Sequence, residues 1–303
     1  MGAYIAFSND IDCTTWDAYN EIRHVLFEEL GVNIEDSFWL FDLDGTSDMA
    51  LFGRDITHKS KHHDELLQKI FQGELTILHS AGNFSEGYHS VIAPDRGLIL
   101  SGLEYLAKNA IVPKIWVNHG NKNNIQNIGG IRKTYHQGDA PSSECYILDI
   151  LLSHGIEYFW NDLNYGNCDI FGNYNFVFTD SGGNNPLVSE SITDSGYTIK
   201  TFNRYRFDNN KGGCKYAPTA QTLGWQLSEA NLDKLVQSQG YCVIYQHFGA
   251  TRSSDGTVSS AVSPIFSKES LEGMRRLRKY TDTGAINIIP LWECLKKADN
   301  RAK

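Results

Sequence analysis

The sequence holds no run of five or six Lys and Arg, no stretch approaching the ~18 apolar residues of a membrane span, and no Cys-x-x-Cys pair. Each absence removes a class of function. Neutralising a nucleic-acid backbone takes clustered cations. Here 27 basic residues face 36 acidic ones, a net charge of −9, so no nucleic-acid partner is expected. No transmembrane segment is expected either. Met1 to Asp10 reads as a short apolar strand running into acid, without the basic start and longer apolar core of a signal peptide. The six cysteines (Cys13, Cys145, Cys168, Cys214, Cys242 and Cys294) are scattered and lack zinc-finger spacing. Free thiols in a reducing compartment, and so a cytoplasmic location, are the expectation.

Apolar and aromatic side chains are plentiful. The hydrophobic set makes up 41% of 303 residues, and a compact chain of this length buries about 75% of its unfolded surface, which excludes intrinsic disorder. Aromatics reach 12%, with 15 Tyr and 6 Trp. Their flat faces and polar handles suit a core or a sugar-binding groove equally.

Periodicity alternates along the chain. A strand from Tyr4 to Ser8 is followed by Trp16, Tyr19, Ile22, Leu26 and Leu30, an apolar stripe at helical spacing that stops at Gly31. Strands at Phe38–Phe41, Leu75–Leu78, Lys114–Val117, Glu157–Trp160, Tyr241–Gln246 and Ile286–Ile289 follow. They are interleaved with helices at Asp64–Phe71, Gly97–Asn109, Ser143–His154, Ser228–Gln239, Ser267–Tyr280 and Pro290–Ala298. Regular alternation means parallel strands with right-handed crossovers. Seven such units take roughly 220 residues. The remainder lies mostly between Leu163 and Thr222, rich in Asn, Gly, Ser, Thr and Asp. Two alternating runs there, Asp169–Phe178 and Tyr197–Phe207, read as an inserted hairpin or small sheet.

Chemistry in parallel α/β folds gathers where strands hand over to helices. Those ends read Asn9-Asp10-Ile11-Asp12, His79-Ser80-Ala81-Gly82-Asn83, Asn118-His119-Gly120, Asn161-Asp162 and His247. Asp10 and Asp12 project to one side of an extended chain. They suit a divalent cation with one acid free to take a proton from bound water, or one of them caps the helix starting near Thr14 or Thr15. His79 and Asn83, four apart, would stand one above the other on a helical turn. His247, after an apolar run, could move a proton near neutral pH.

In this order the motifs resemble those of the metal-dependent polysaccharide deacetylases, carbohydrate esterase family 4 with the nodulation-deacetylase homology fold. The resemblance spans nearly the whole chain apart from the insertion. It implies one domain over residues 1–303, a distorted (β/α)7 TIM-like barrel with a β-rich insertion at about 163–222, after strand five. It also implies a hydrolase that removes an acetyl or formyl group from the nitrogen of an amino sugar. The family's Asp-x-Asp motif carries onto Asp10 as catalytic base and Asp12 as metal ligand. Its His-Ser-x-x-His motif matches at His79, with Asn83 where a second His ligand stands. The family's Arg-x-Pro-Tyr is replaced by Asn118-His119-Gly120, so the arginine that orients the base is missing and His119 is the candidate to stand in. Trp160 and Asp162 correspond to the fourth motif, and His247, the proton donor, to the fifth. Asn118, His119, Trp160 and Asp162 would bind or orient substrate. The implied cofactor is one divalent ion, zinc foremost, with Co, Mn, Fe or Ni as alternatives. A cytoplasmic enzyme of this kind would act on a nucleotide- or lipid-linked precursor of a surface polysaccharide such as O-antigen or capsule.

Two other readings stand beside it. The asparagine at position 83 and the absent arginine also suit a catalytically inactive deacetylase-like barrel that only binds sugar. Phe41-Asp42-Leu43-Asp44-Gly45-Thr46 is spelled like the first motif of haloacid-dehalogenase-type phosphatases, with Asp42 as nucleophile and Asp44 as proton handler. A complete βα unit precedes it, whereas that family's motif ends the first strand.

Overall fold

The computed structural model describes residues 2–43, 45–86, 90–91, 95–119, 124–129, 136–160, 175–206, 218–253 and 257–300. Along the chain come β1 (Ala3–Asn9), α1 (Trp16–Arg23) running into a π-helical segment (His24–Glu29), β2 (Asp36–Asp42), β3 (Ala50–Phe52), α2 (His63–Phe71), β4 (Leu75–His79) and β5 (Gly82–Asn83). Then follow β6 (Ser85–Glu86), β7 (Ser90–Val91), α3 (Arg96–Lys108), β8 (Ile115–Val117), α4 (Leu148–Ser153), β9 (Tyr158–Trp160), β10 (Val188–Ile192) and β11 (Thr198–Phe202). The last third holds α5 (Leu223–Gln226), α6 (Glu229–Ser238), β12 (Tyr241–Gln246), β13 (Ala250–Arg252), β14 (Val258–Ser260), α7 (Lys268–Asp282), β15 (Ile286–Ile288) and α8 (Leu291–Asn300).

Helix starts follow capping chemistry. Thr15, Asp95, Ser228 and Ser267 each accept a backbone N–H of the first turn they precede. Every residue of β12 is buried, as a strand covered on both faces requires. The helix expected from Ser143 starts only at Leu148. Ser143 instead accepts the Cys145 N–H and donates to Gln137, and the Ile147 and Leu148 amides both go to the Gly138 carbonyl, which holds 143–147 in turns.

The chain forms two compact units. The first comprises Met1–Asp36, Asn167–Val188 and Asn203–Lys303; the second comprises Ser37–Gly166 and Ser189–Phe202. In the first, β1 runs parallel to both β12 and β15, with Asn9 opposite Gln246 and Ala3 opposite Ile286. Bridges also join β12 to Phe178 and Tyr205. Helices α6 and α8 lie against β1, and α7 packs on α5 and β15. In the second unit β8 runs parallel between β4 and β9, β11 pairs parallel to β9, β10 lies outside β11, and β3 and β5 pair parallel to β2.

The fold is therefore α/β with mostly parallel strands. A closed barrel needs every strand paired on both sides. Among the described residues β15 in the first unit and β10 in the second each pair on one side only, so the expected barrel is not shown. The region expected as an insertion holds two neighbouring strands, the second inside the alternating run Tyr197–Phe207 and the first outside both runs. Among the described residues its strands are Val188–Ile192 and Thr198–Phe202, and the second extends the sheet of the second unit through Lys200↔Tyr158 and Thr201↔Phe159. Residues 169–174 and 207 of those runs lie outside the described residues.

Candidate functional site

In the first unit the ladder between β1 and β12 ends where Asp10 N–H donates to the Gln246 carbonyl at 2.9 Å. The strands are parallel, so Asp10 and His247 leave them at the same end. Beyond Asp10 the chain turns back toward α1, with Thr14 N–H on the Ile11 carbonyl. The helix cap is Thr15, whose Oγ1 accepts from Ala18 N, so neither aspartate is spent on capping. Gly249 lets the β12 exit approach that turn. A Cβ there would lie 2.1 Å from Thr14 Oγ1.

Asp10, Asp12 and His247 form a group in which one ligand-type atom of each lies within 4.8 Å of the others. His247 Nε2 is 3.3 Å from Asp12 Oδ2 and 3.9 Å from Asp10 Oδ2. Asp10 is buried, while Asp12 and His247 are partly open, with side chains 20% and 12% exposed, so the cluster can be reached from one side. Nδ1 of His247 is buried without a hydrogen-bond partner among the described residues.

Asp10 Oδ1 accepts from Arg204 Nη1 at 2.8 Å, and Arg204 is fully buried. The same nitrogen reaches Ser8 Oγ at 3.0 Å, and the guanidinium lies 3.8 Å over the ring of Tyr245, which meets the His247 ring edge-on. Burial, reinforced by the Asp10 charge, pushes the Tyr245 hydroxyl well above the ordinary tyrosine range. Arg204 corrects the sequence reading. An arginine does meet the expected base, and it comes from the stretch read as an insertion, 194 positions away. Its one sequence signal is a cation inside an aromatic alternating run, Asn203-Arg204-Tyr205-Arg206.

The remaining candidates belong to the second unit. His79 ends β4, and Ser80 after it is left-handed (φ +54), so Gly82 and Asn83 emerge as a strand beside β2. The helical turn expected over His79–Asn83 does not form. Asn83 Nδ2 donates to Thr46 Oγ1, and Asp42 opposite it accepts from Ser47 N at 2.9 Å. Both side chains tie down the loop after β2. Asp44 is outside the described residues. Asn118 accepts from Trp116 Nε1 and Ile128 N and donates to the Ile128 carbonyl. His119 stacks on Trp39 at 5.1 Å, and its ring centroid is 5.1 Å from that of His79. Trp160 ends β9, buried, and its carbonyl accepts from Asn118 N; Asn161, Asp162 and Gly120 are outside the described residues.

Backbone strain marks two of these places. Among the described residues four non-glycines have positive φ. Ala110 and Gln239 sit at helix ends, where left-handed residues are routine. Cys13 and Ser80 do not: they directly follow Asp12 and His79. Such conformations cost free energy and gather at functional sites.

Two carboxylates and an imidazole form a donor set that suits zinc and its first-row neighbours, and the residues of the first unit fit such an ion. Cys242 and Cys294 are buried free thiols. No helix of the described residues is long and apolar enough to cross a membrane. No protein-family model, curated protein or solved structure matches the chain.

Proposed function

We propose that the chain is a metal-dependent hydrolase of a linear amide, removing the acyl group from an N-acylated amino sugar. The observation that supports this most is the Asp10–Asp12–His247 group at the shared exit of two parallel strands, with Asp10 held by a buried arginine. Asp12, the most exposed of the three, would hold the ion, beside Asp10 and His247. When bound, a divalent ion supplies a polarised acyl carbonyl and a more acidic water.

The chain's own residues do the rest. Arg204 fixes Oδ1 of Asp10, and Oδ2, the oxygen nearer His247, takes the proton of the attacking water. His247 holds a proton at Nε2 beside the Asp12 carboxylate and passes it to the leaving amine. Arg204 holds Asp10 and lies over the ring of Tyr245, which packs edge-on against His247.

The test is a panel of nucleotide- and lipid-linked N-acylated amino sugars with added Zn, Co, Mn, Fe or Ni, scored for released acid by mass spectrometry. Asp10→Asn should retain metal and fold while turnover drops about 10²–10⁴-fold. Full activity in that variant would remove Asp10 as the base. Absence of release under every metal would remove the reading itself.

A further inference from the structure

Behind the acid pair lies a buried chain of polar groups that belongs to neither metal nor base. Asn9, 2% exposed, donates from Nδ2 to Asp36 Oδ1 at 2.7 Å, and its Oδ1 accepts from Phe248 N at 2.8 Å. Asp36 Oδ2 in turn meets Arg23 Nη2 at 2.8 Å, and Arg23 Nη1 donates to the Ile34 carbonyl at 2.6 Å. Asn9 immediately precedes Asp10, and Phe248 immediately follows His247.

The location of the Asn9–Phe248 bond gives it meaning. The backbone ladder between β1 and β12 stops at Asp10 N–Gln246 O, and the next amide, His247 N, turns away to the Pro218 carbonyl. One step further on, the side chain of Asn9 replaces the missing ladder bond and ties the two exits together. A buried Arg–Asp pair seldom stabilises a fold more than apolar residues of the same size would. It does fix which way the Asn9 amide points: with Asp36 ionised, Nδ2 must face it and Oδ1 must face Phe248.

We propose that Asn9, oriented by Asp36 and Arg23, is a positioning residue that holds Asp10 and His247 at working distance. As a statement about catalysis this rests on the hydrolase reading above. Outer hydrogen-bond partners of this kind typically carry about 10–100-fold of activity or metal affinity.

Two arms test it. In the wild-type protein, hydrogen exchange read by NMR should find the Phe248 amide protected like that of Asp10, and Asn9→Ala should speed Phe248 exchange by about tenfold or more while β15 and α7 keep theirs. In the kinetic arm Asn9→Ala should lower kcat about 10–100-fold, leave KM in place and shift the pH profile. A Phe248 amide that exchanges like an exposed one in the wild type overturns the clamp without any variant having to fold. An Asn9→Ala protein with unchanged kcat and pH profile overturns the positioning role. If the wild type hydrolyses nothing, the hydrolase reading fails, and the exchange arm alone decides the clamp.

Discussion

Strand ends in the two units carry the same kinds of residue and use them differently. At the exits of β1 and β12, Asp10, Asp12 and His247 point at one another, backed by Arg204. At the exits of β2 and β8, Asp42 and Asn118 turn back on the loops that leave the strands and satisfy amides at Ser47, Ile128 and the Trp116 indole. A polar residue at the carboxyl end of a parallel strand is thus not yet evidence of chemistry. What separates the two cases is whether its partner is backbone of its own loop or another ionisable side chain brought from far along the chain. The first use consumes hydrogen-bonding capacity in making a loop, and the second leaves charge facing charge.

The largest effect is expected at Arg204. Replacing it by Met leaves Asp10 buried without its cation, and breaking one side of a buried pair costs about 3–5 kcal/mol. Urea denaturation should show this loss, with recovery in the Asp10→Asn/Arg204→Met double variant. A loss below about 1 kcal/mol, the value of a surface pair, would erase the contrast between the units. Asn118→Leu comes next. It strands the Trp116 indole N–H and the Ile128 amide, at about 1–3 kcal/mol. Its metal affinity should be that of the wild type by titration, since the side chain serves its loop. A large change in metal affinity would move Asn118 into the same class as Asp12.

Much of the fold is legible because its signals are local. The helices beginning after Thr15, Asp95, Ser228 and Ser267 announce themselves by cap and apolar stripe, and β12 by an unbroken apolar run. Asp10, Asp12 and His247 are legible as strand ends for the same reason. Pairings between distant segments are not. Nothing near Thr198–Phe202 says that it lies beside Tyr158–Phe159, and nothing near Arg204 says that it meets Asp10. The helical turn expected over His79–Asn83 is absent because spacing of four implies a shared face only on a helix, and a left-handed Ser80 converts that stretch into strand, turn and strand.

The smallest effect sharpens the comparison through pH and salt. In the second unit Arg96 grips Asp149 with both terminal nitrogens, at 2.7 and 2.6 Å, but the two side chains are 37% and 36% exposed. The guanidinium hydrogen bonds hold the Asp149 carboxyl below its ordinary range. A carboxyl whose folded value is depressed stabilises fully above the ordinary carboxylate range and loses that contribution as pH falls through its folded value. Solvent screening limits the gain to about 0.5–1 kcal/mol. The stability gap between wild type and Asp149→Asn should therefore be level at neutral pH, close in acid, and shrink in high salt, because exposed pairs are screened at short Debye length. The gap between wild type and Arg204→Met should hardly respond to salt, because no ions reach a fully buried pair. Equal salt sensitivity of the two gaps would show that Arg204 and Asp10 are open to solvent, and the first unit's exit would then lose the property that sets it apart from the second.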